Sequence, residues 1–144
     1  MATLDGGRIG IAAQALGIAE GAIEETVKYV KERVQFGKSI AQFQNTQFEL
    51  AQMRANTEAA KLLVYQAACA KDDHQKFTHL AAMANLFAAR NATDVTNRCL
   101  QLFGGYGYTS DYPIERMMRD AKITEIYEGT SEVQMMVLSG WMLR

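Results

Sequence analysis

Four short segments carry residues that a helical scaffold alone does not require. Ile126-Tyr127-Glu128-Gly129-Thr130-Ser131-Glu132 sets a carboxylate between apolar neighbours and a glycine, just before a helix start of the hydroxyl-then-acid kind. There Glu128 is a candidate general base, and its plain alternative is a solvated loop residue. Gln101-Leu102-Phe103-Gly104-Gly105-Tyr106-Gly107-Tyr108 places three glycines among aromatics. Backbone amides can approach a ligand closely at such a stretch, and free amides favour anions. A helix-terminating turn uses the same residues, and the spacing is not GxGxxG following a strand, so no Rossmann fingerprint is present. Arg33-Val34-Gln35-Phe36-Gly37-Lys38 offers an arginine that either complements a helix dipole or grips a phosphate in forked geometry. Residues 112–122, YPIERMMRDAK, form a charged short helical segment, for which a salt-bridged surface patch is the favoured reading on its own.

Composition narrows the classes these segments can serve. The chain has 144 residues, enough for one domain with a real core. It is 49% apolar and 22% charged with one proline, the balance of a compact fold and not of a disordered chain. Fifteen basic residues oppose sixteen acidic ones, so no net field draws nucleic acid or anionic lipid. An anionic ligand would need a few placed arginines or helix termini. Cys69 and Cys99 lie far apart without CxxC or histidine spacing, and His74 and His79 are equally uninformative, so no metal site is expected and both thiols are expected to be buried in a reducing compartment. No apolar run approaches the ~20 residues of a membrane span, and the first residues lack a signal pattern.

The elements that must position these segments are helices. Ile9, Leu16, Ile23 and Val30 recur every seven residues, with Ala13, Val27 and Val34 filling the stripe. Asp5 is a plausible N-cap, and the helix is expected to stop at Phe36-Gly37. Gly10, Gly17 and Gly21 suggest a backbone or ligand close by. A second helix is expected over residues 43–72, with Phe48, Leu50, Met53, Leu62, Val64, Ala67 and Ala68 in its core, and residues 71–76 as a connection. A third is expected over 78–102, with Leu80, Met83, Phe87, Val95 and Leu102 in register, and a fourth over 131–142. Strand signals are nearly absent. The expected fold is an all-α, up-down four-helix bundle.

Taken in order, RVQFGKSIAQFQ, QLFGGYGY, YPIERMMRDAK and IYEGTSE closely resemble the ordered motifs of the acyl-CoA dehydrogenases. The opening LDGGRIGIAAQALGIAEGA resembles the start of that family's last domain in its short-chain, butyryl-CoA branch. The resemblance covers essentially the whole chain. It implies one C-terminal helical domain over residues 1–144, without the family's N-terminal helical and middle β-domains. It further implies FAD as cofactor and oxidation of an acyl-CoA to the trans-2-enoyl-CoA, by removal of the α-proton and transfer of a β-hydride to flavin.

Carried over by residue, Glu128 matches the base, and its backbone N–H matches one of the two donors to the thioester carbonyl. Gly129, with Asp5, Gly6, Gly7 and Arg8, matches positions that contact acyl-CoA. Arg33, Phe43, Gln44, Gln101, Leu102, Phe103, Gly104 and Gly105 resemble residues that grip FAD, several of them reaching a partner subunit's cofactor. Thr130, Ser131 and Glu132 match a further stretch touching FAD. Some relatives place the base on the first helix, just before Arg8, but Gly7 there carries no acid. The resemblance also implies a homo-oligomer, electron-transfer flavoprotein as electron acceptor, and a bacterial cytoplasmic or mitochondrial matrix setting. Without the other domains, the chain alone is expected to associate through exposed apolar faces and to show little or no activity. A non-catalytic helical oligomerisation module is the alternative.

Overall fold

A computed structural model of the chain describes residues 2–144, with side chains from Leu4 onward. Three long helices, α1 (Ala2–Glu32), α2 (Gln44–Asp72) and α3 (Thr78–Phe103), are followed by a single turn α4 (Gly105–Tyr108), the short α5 (Ile114–Ile123) and α6 (Ser131–Met142). Side-chain pairings give their directions. Asp5 and Tyr29 of α1 meet Thr78 and Phe103 at the two ends of α3, so these helices run parallel. Met53 and Thr57 of α2 meet Cys99 and Asn91, which makes α2 antiparallel to α3. Met135 and Trp141 of α6 meet Arg90 and His79, so α6 is antiparallel as well. The result is the expected up-down four-helix arrangement, with α5 as an added fifth helix. α3 lies at its centre, packed by α1, α2, α5 and α6.

The core is built mainly from small side chains. Ala12, Ala15, Ala19 and Ala22 on α1, Ala60 and Ala67 on α2, and Ala81, Ala84, Ala88 and Ala92 on α3 are all buried. Helix axes separated by alanine faces approach toward the short end of the usual ~8–10 Å. This corrects the expected core. Phe48, Leu62 and Phe87 are exposed, 72% in the case of Leu62, because the alanine faces turn inward and leave the larger residues outside. Met53, Val64 and Val95 are buried as expected, and Leu50, Leu80, Met83 and Leu102 are partly so. On α1, Leu16, Ile23 and Val30 are buried, but Ala13 and Val34 are exposed. Cys99 is buried and burial pushes its thiol up to about 11, whereas Cys69 is exposed, contrary to the expectation of two buried thiols.

Both expected ends of α1 shift. The helix already includes Ala2, so Asp5 lies in its first turn and is no N-cap. At the other end α1 stops at Glu32, and residues 34–39 form a two-residue hairpin, Val34 opposite Ser39 and Gln35 opposite Lys38. Phe36 and Gly37 both take positive φ (53° and 78°), the requirement of a tight primed hairpin turn. Gly37 therefore serves a hairpin and not a helix cap. The Ser39 hydroxyl donates to Val30 O (2.7 Å), tying the hairpin back to α1, and Ile40 N–H donates to Arg33 O (2.9 Å) at its base. Gly10 and Gly17 have no neighbour that an added Cβ would meet, so within this chain nothing approaches them.

Candidate active site

The segment after α5 turns back on itself to start α6. Ser131 N–H donates to Glu125 O (3.0 Å), and between them Glu128 (φ 57°) and Gly129 (φ 95°) take consecutive left-handed conformations. For Glu128, a residue with a Cβ, that conformation costs on the order of 1–3 kcal/mol, and the surroundings must hold it. The buried Gln134 side chain does so, its Nε2 donating to Glu128 O (3.3 Å) and Gly129 O (2.8 Å). The Tyr127 hydroxyl donates to Gln14 Oε1 (2.5 Å) and fastens the turn to α1. Thr130 is the N-cap of α6, its hydroxyl oxygen accepting from Val133 N–H (3.4 Å). Because Val133 and not an acid occupies the third position, no reciprocal capping box forms. Glu132 sits one residue earlier, where its own backbone N–H and then the Thr130 hydroxyl hold its carboxyl below the usual range.

This turn carries the Glu128 carboxylate across to α1. A Cβ built on Gly7 would lie 2.5 Å from Glu128 Oε2 and 2.9 Å from its Cδ, so the carboxylate occupies the space a side chain at position 7 would take. Among the described residues the Glu128 and Gly129 N–H groups have no acceptor. Glu128 is exposed on this chain.

Asp5 and Arg8 lie beside Gly7 but face inward. They form an ion pair (2.6 Å), each 3% exposed, with Thr78 of α3 donating to Asp5 (2.7 Å) and Asn85 to Arg8 O (3.3 Å). The pair clamps the start of α1 to α3; Gly7 turns toward Glu128, whereas a Cβ on Gly6 would meet Lys71 Nζ at 3.4 Å. Removing one partner leaves a buried charge without its mate, at about 3–5 kcal/mol. Asp5→Ala is therefore expected to lower unfolding stability by that amount in urea titrations. A change below 1 kcal/mol would mean that Arg8 finds another partner.

Three buried side-chain atoms among the described residues lack any hydrogen-bond partner: Arg8 Nε, Ser131 Oγ and Gln134 Oε1. Each costs about 1–3 kcal/mol. All three belong to residues flanking the Gly7–Glu128 contact, and such concentration points to a site selected for something other than stability.

A second cluster forms at the far end of α1. Arg33, Gln101, Leu102, Phe103, Gly104 and Gly105 line one open cleft of about 610 Å³. The Arg33 guanidinium stands 5.1 Å over the Tyr106 ring and pairs with no carboxylate among the described residues. Tyr29 stacks on Phe103 (4.1 Å between centroids) and closes the cleft floor; burial raises its phenol, opposed by Arg33. Gly104 (φ 62°) ends α3, while Gly107 is needed for packing, since a Cβ there would meet Leu100 O at 2.7 Å. Phe43 and Gln44 stand beside this cleft and not in it. Phe43 is held edge-on to Phe36 with Lys38 Nζ 4.3 Å from its ring, and Gln44 opens α2, exposed.

The expected site residues thus fall into two groups. The 25 steps along α1 from Gly7 to Glu32 rise ~1.5 Å each, which separates the groups by about 37 Å. Sequence reasoning missed Gln134, whose polar side chain inside a helix reads as a solvated position, and it missed the Gly7–Glu128 contact, which spans the whole chain.

The chain belongs to the acyl-CoA dehydrogenase family: residues 1–143 match the family model described as acyl-CoA dehydrogenase, C-terminal domain. It is 62% identical, over all of its length and 38% of the relative's, to a short-chain specific acyl-CoA dehydrogenase of Clostridium acetobutylicum. The solved butyryl-CoA dehydrogenase of Megasphaera elsdenii superposes with a TM-score of 0.99 at 58% identity, covering all of this chain and 38% of that one. The caffeyl-CoA reductase-Etf complex subunit CarC of Acetobacterium woodii is 49% identical over the whole chain and 38% of its own length. The chain therefore spans little more than a third of these relatives. Among the described residues no helix is long and apolar enough to cross a membrane.

Proposed function

We propose that this chain is the base-bearing domain of an FAD-dependent short-chain acyl-CoA dehydrogenase, with Glu128 as the catalytic base. The observation that carries the reading is the placement of the Glu128 carboxylate over a helix position that has no side chain. A thioester substrate presents a carbon acid, and removing its α-proton needs a fixed carboxylate together with hydrogen bonds at the carbonyl oxygen, where enolate charge develops. Glu128 accepts the proton, and its unpaired backbone N–H is free to donate to that oxygen. The Gly7 backbone, bare of a side chain, leaves room for an acyl chain beside the carboxylate.

FAD, when bound, supplies the acceptor for the β-hydride. The residues present fit an anionic dinucleotide: an arginine without a carboxylate partner faces an open cleft against the Gly104-Gly105 backbone, and the half-buried Thr130 hydroxyl stands at the start of α6. The two groups stand about 37 Å apart along α1, further than one dinucleotide reaches. Each flavin site then takes its Arg33 side from one copy and its Glu128 side from another, and the protein works as a homo-oligomer. The apolar residues exposed on and beyond α6, including Met136, Trp141, Met142 and Leu143, supply surface for such assembly. Electron-transfer flavoprotein is the natural acceptor of the electrons, in keeping with the relative named for its complex with Etf. That relative is named as a reductase; the same residues serve both directions, because the reverse step returns the proton from Glu128. A cytoplasmic or mitochondrial matrix setting suits the partner set.

The test is direct. Anaerobic addition of butyryl-CoA to the assembled flavoprotein containing this domain should bleach the oxidised flavin absorbance. Assembly without bleaching by any short acyl-CoA would favour an oligomerisation module instead. Arg33→Ala is expected to reduce the flavin retained per protomer through purification while leaving the helical content unchanged; full retention would assign Arg33 to the dipole at the end of α1.

A further inference from the structure

Gln134 is fully buried on α6, one turn past the N-cap, where helices of this kind ordinarily bury an apolar side chain. Its amide is only half satisfied. Nε2 donates to two carbonyls, whereas Oε1 is buried without a partner. A methionine or leucine would fill the same space without desolvating an unpaired oxygen, so the position keeps an amide for the sake of the donor. The two acceptors are the carbonyls on either side of Gly129, and bonding both fixes ψ of Glu128 and the φ and ψ of Gly129. Those dihedrals hold the left-handed pair that aims the Glu128 side chain at Gly7. The fit is close, since a Cβ on Gly129 would lie 3.0 Å from Gln134 Nε2 and 3.3 Å from Val133 Cγ1.

We propose that Gln134 is a positioning residue for the reaction: its amide holds the Glu128-Gly129 turn so that the carboxylate stands over Gly7 at the substrate carbon. The proposal rests on Glu128 being the base. It does not make Gln134 a catalytic residue, because its side chain is fully buried and its donor is spent on the carbonyls of the turn. Without the donor, the turn keeps its chain path but loses the constraint on ψ of Glu128 and on the Gly129 dihedrals, and the carboxylate samples positions displaced from the acidic carbon. Misplacement of a reacting group by about 1 Å costs about 100-fold.

The experiment compares Gln134→Met, which keeps length and loses the donor, with Gln134→Glu, which keeps shape and presents an ionised oxygen to the carbonyls. Both are made in the flavin-loaded enzyme, alongside Glu128→Gln. For Gln134→Met the expected result is a kcat lower by about 100-fold with KM and flavin content unchanged. A larger kinetic isotope effect on α-deuterated butyryl-CoA is expected as well, since proton abstraction now limits turnover. For Gln134→Glu, the deficit relative to wild type should narrow as pH falls, because the protonated carboxyl regains a donor. Wild-type kcat in both variants, with Glu128→Gln inactive, overturns the proposal and leaves the base in place. Parallel loss of kcat and flavin content with an unchanged isotope effect also overturns it, since that is the mark of a purely structural residue. Normal turnover by Glu128→Gln removes the base assignment itself. Should Gln134→Met fail to fold, the pH dependence of Gln134→Glu decides alone.

Discussion

Glu128→Gln is expected to lower kcat with butyryl-CoA by about 10⁴-fold, the upper end of what loss of a general base costs, while the enzyme keeps its flavin. The substitution is nearly isosteric. The bonds that hold the turn run from Gln134 to backbone carbonyls, so the left-handed conformation at position 128 survives it. The clearance over Gly7 also stays the same, because the amide replaces the carboxylate in volume. Only the proton acceptor is lost. Steady-state rates with electron-transfer flavoprotein as acceptor measure the first quantity, and the flavin absorbance of the purified protein measures the second. A variant with normal rates would return Glu128 to the status of a surface loop residue.

The second large effect is expected at Gly7. In Gly7→Ala the new Cβ would fall 2.5 Å from Glu128 Oε2, well inside the closest approach of real atoms. The obstructing group is the far end of a flexible side chain, so the carboxylate swings aside and the backbone stays. Alanine is favoured over glycine within a helix by about 1 kcal/mol, so thermal stability should hold or rise slightly. Activity should fall about 100-fold, because the base no longer stands where the acidic carbon arrives. Stability and activity moving in opposite directions is the signature, read from melting temperature and kcat on one sample. Unchanged kcat would mean that the carboxylate does not work from the place it occupies here.

The contrast between these two residues also shows what could be read from sequence. Glu128 stood out as a candidate because it sits in a compact motif, IYEGTSE, whose residue types carry their own chemistry. The bounds of α6 followed from the hydroxyl residues before an apolar run, and those of α2 and α3 from the hydrophilic connection between them. The end of α1 was misplaced because Phe36-Gly37 satisfies a helix stop and a hairpin turn equally, and only the pairing of Val34 with Ser39 separates them. Core residues were harder still. Hydrophobicity ranks Leu62 and Phe48 above Ala60 and Ala67, yet close helix packing buries the alanines and turns the larger groups outward. Asp5 was placed at a helix start by its type, while its actual work is in an ion pair that needs Arg8, Thr78 and Asn85 together, two of them on another helix. Gln134 gave no local signal, because its role depends on a turn six residues back that only the folded chain brings to its amide.

The most direct measurement separates proton abstraction from everything that follows it. Acetyl-CoA has an acidic α-carbon and no β-carbon, so no hydride can leave it. With the flavin-loaded enzyme in deuterium oxide, the wild-type protein should exchange the acetyl protons for deuterium well above the rate in buffer, and Glu128→Gln should not. Equal exchange by both proteins would contradict the account, because the carboxylate above Gly7 would then not be the group that takes the proton.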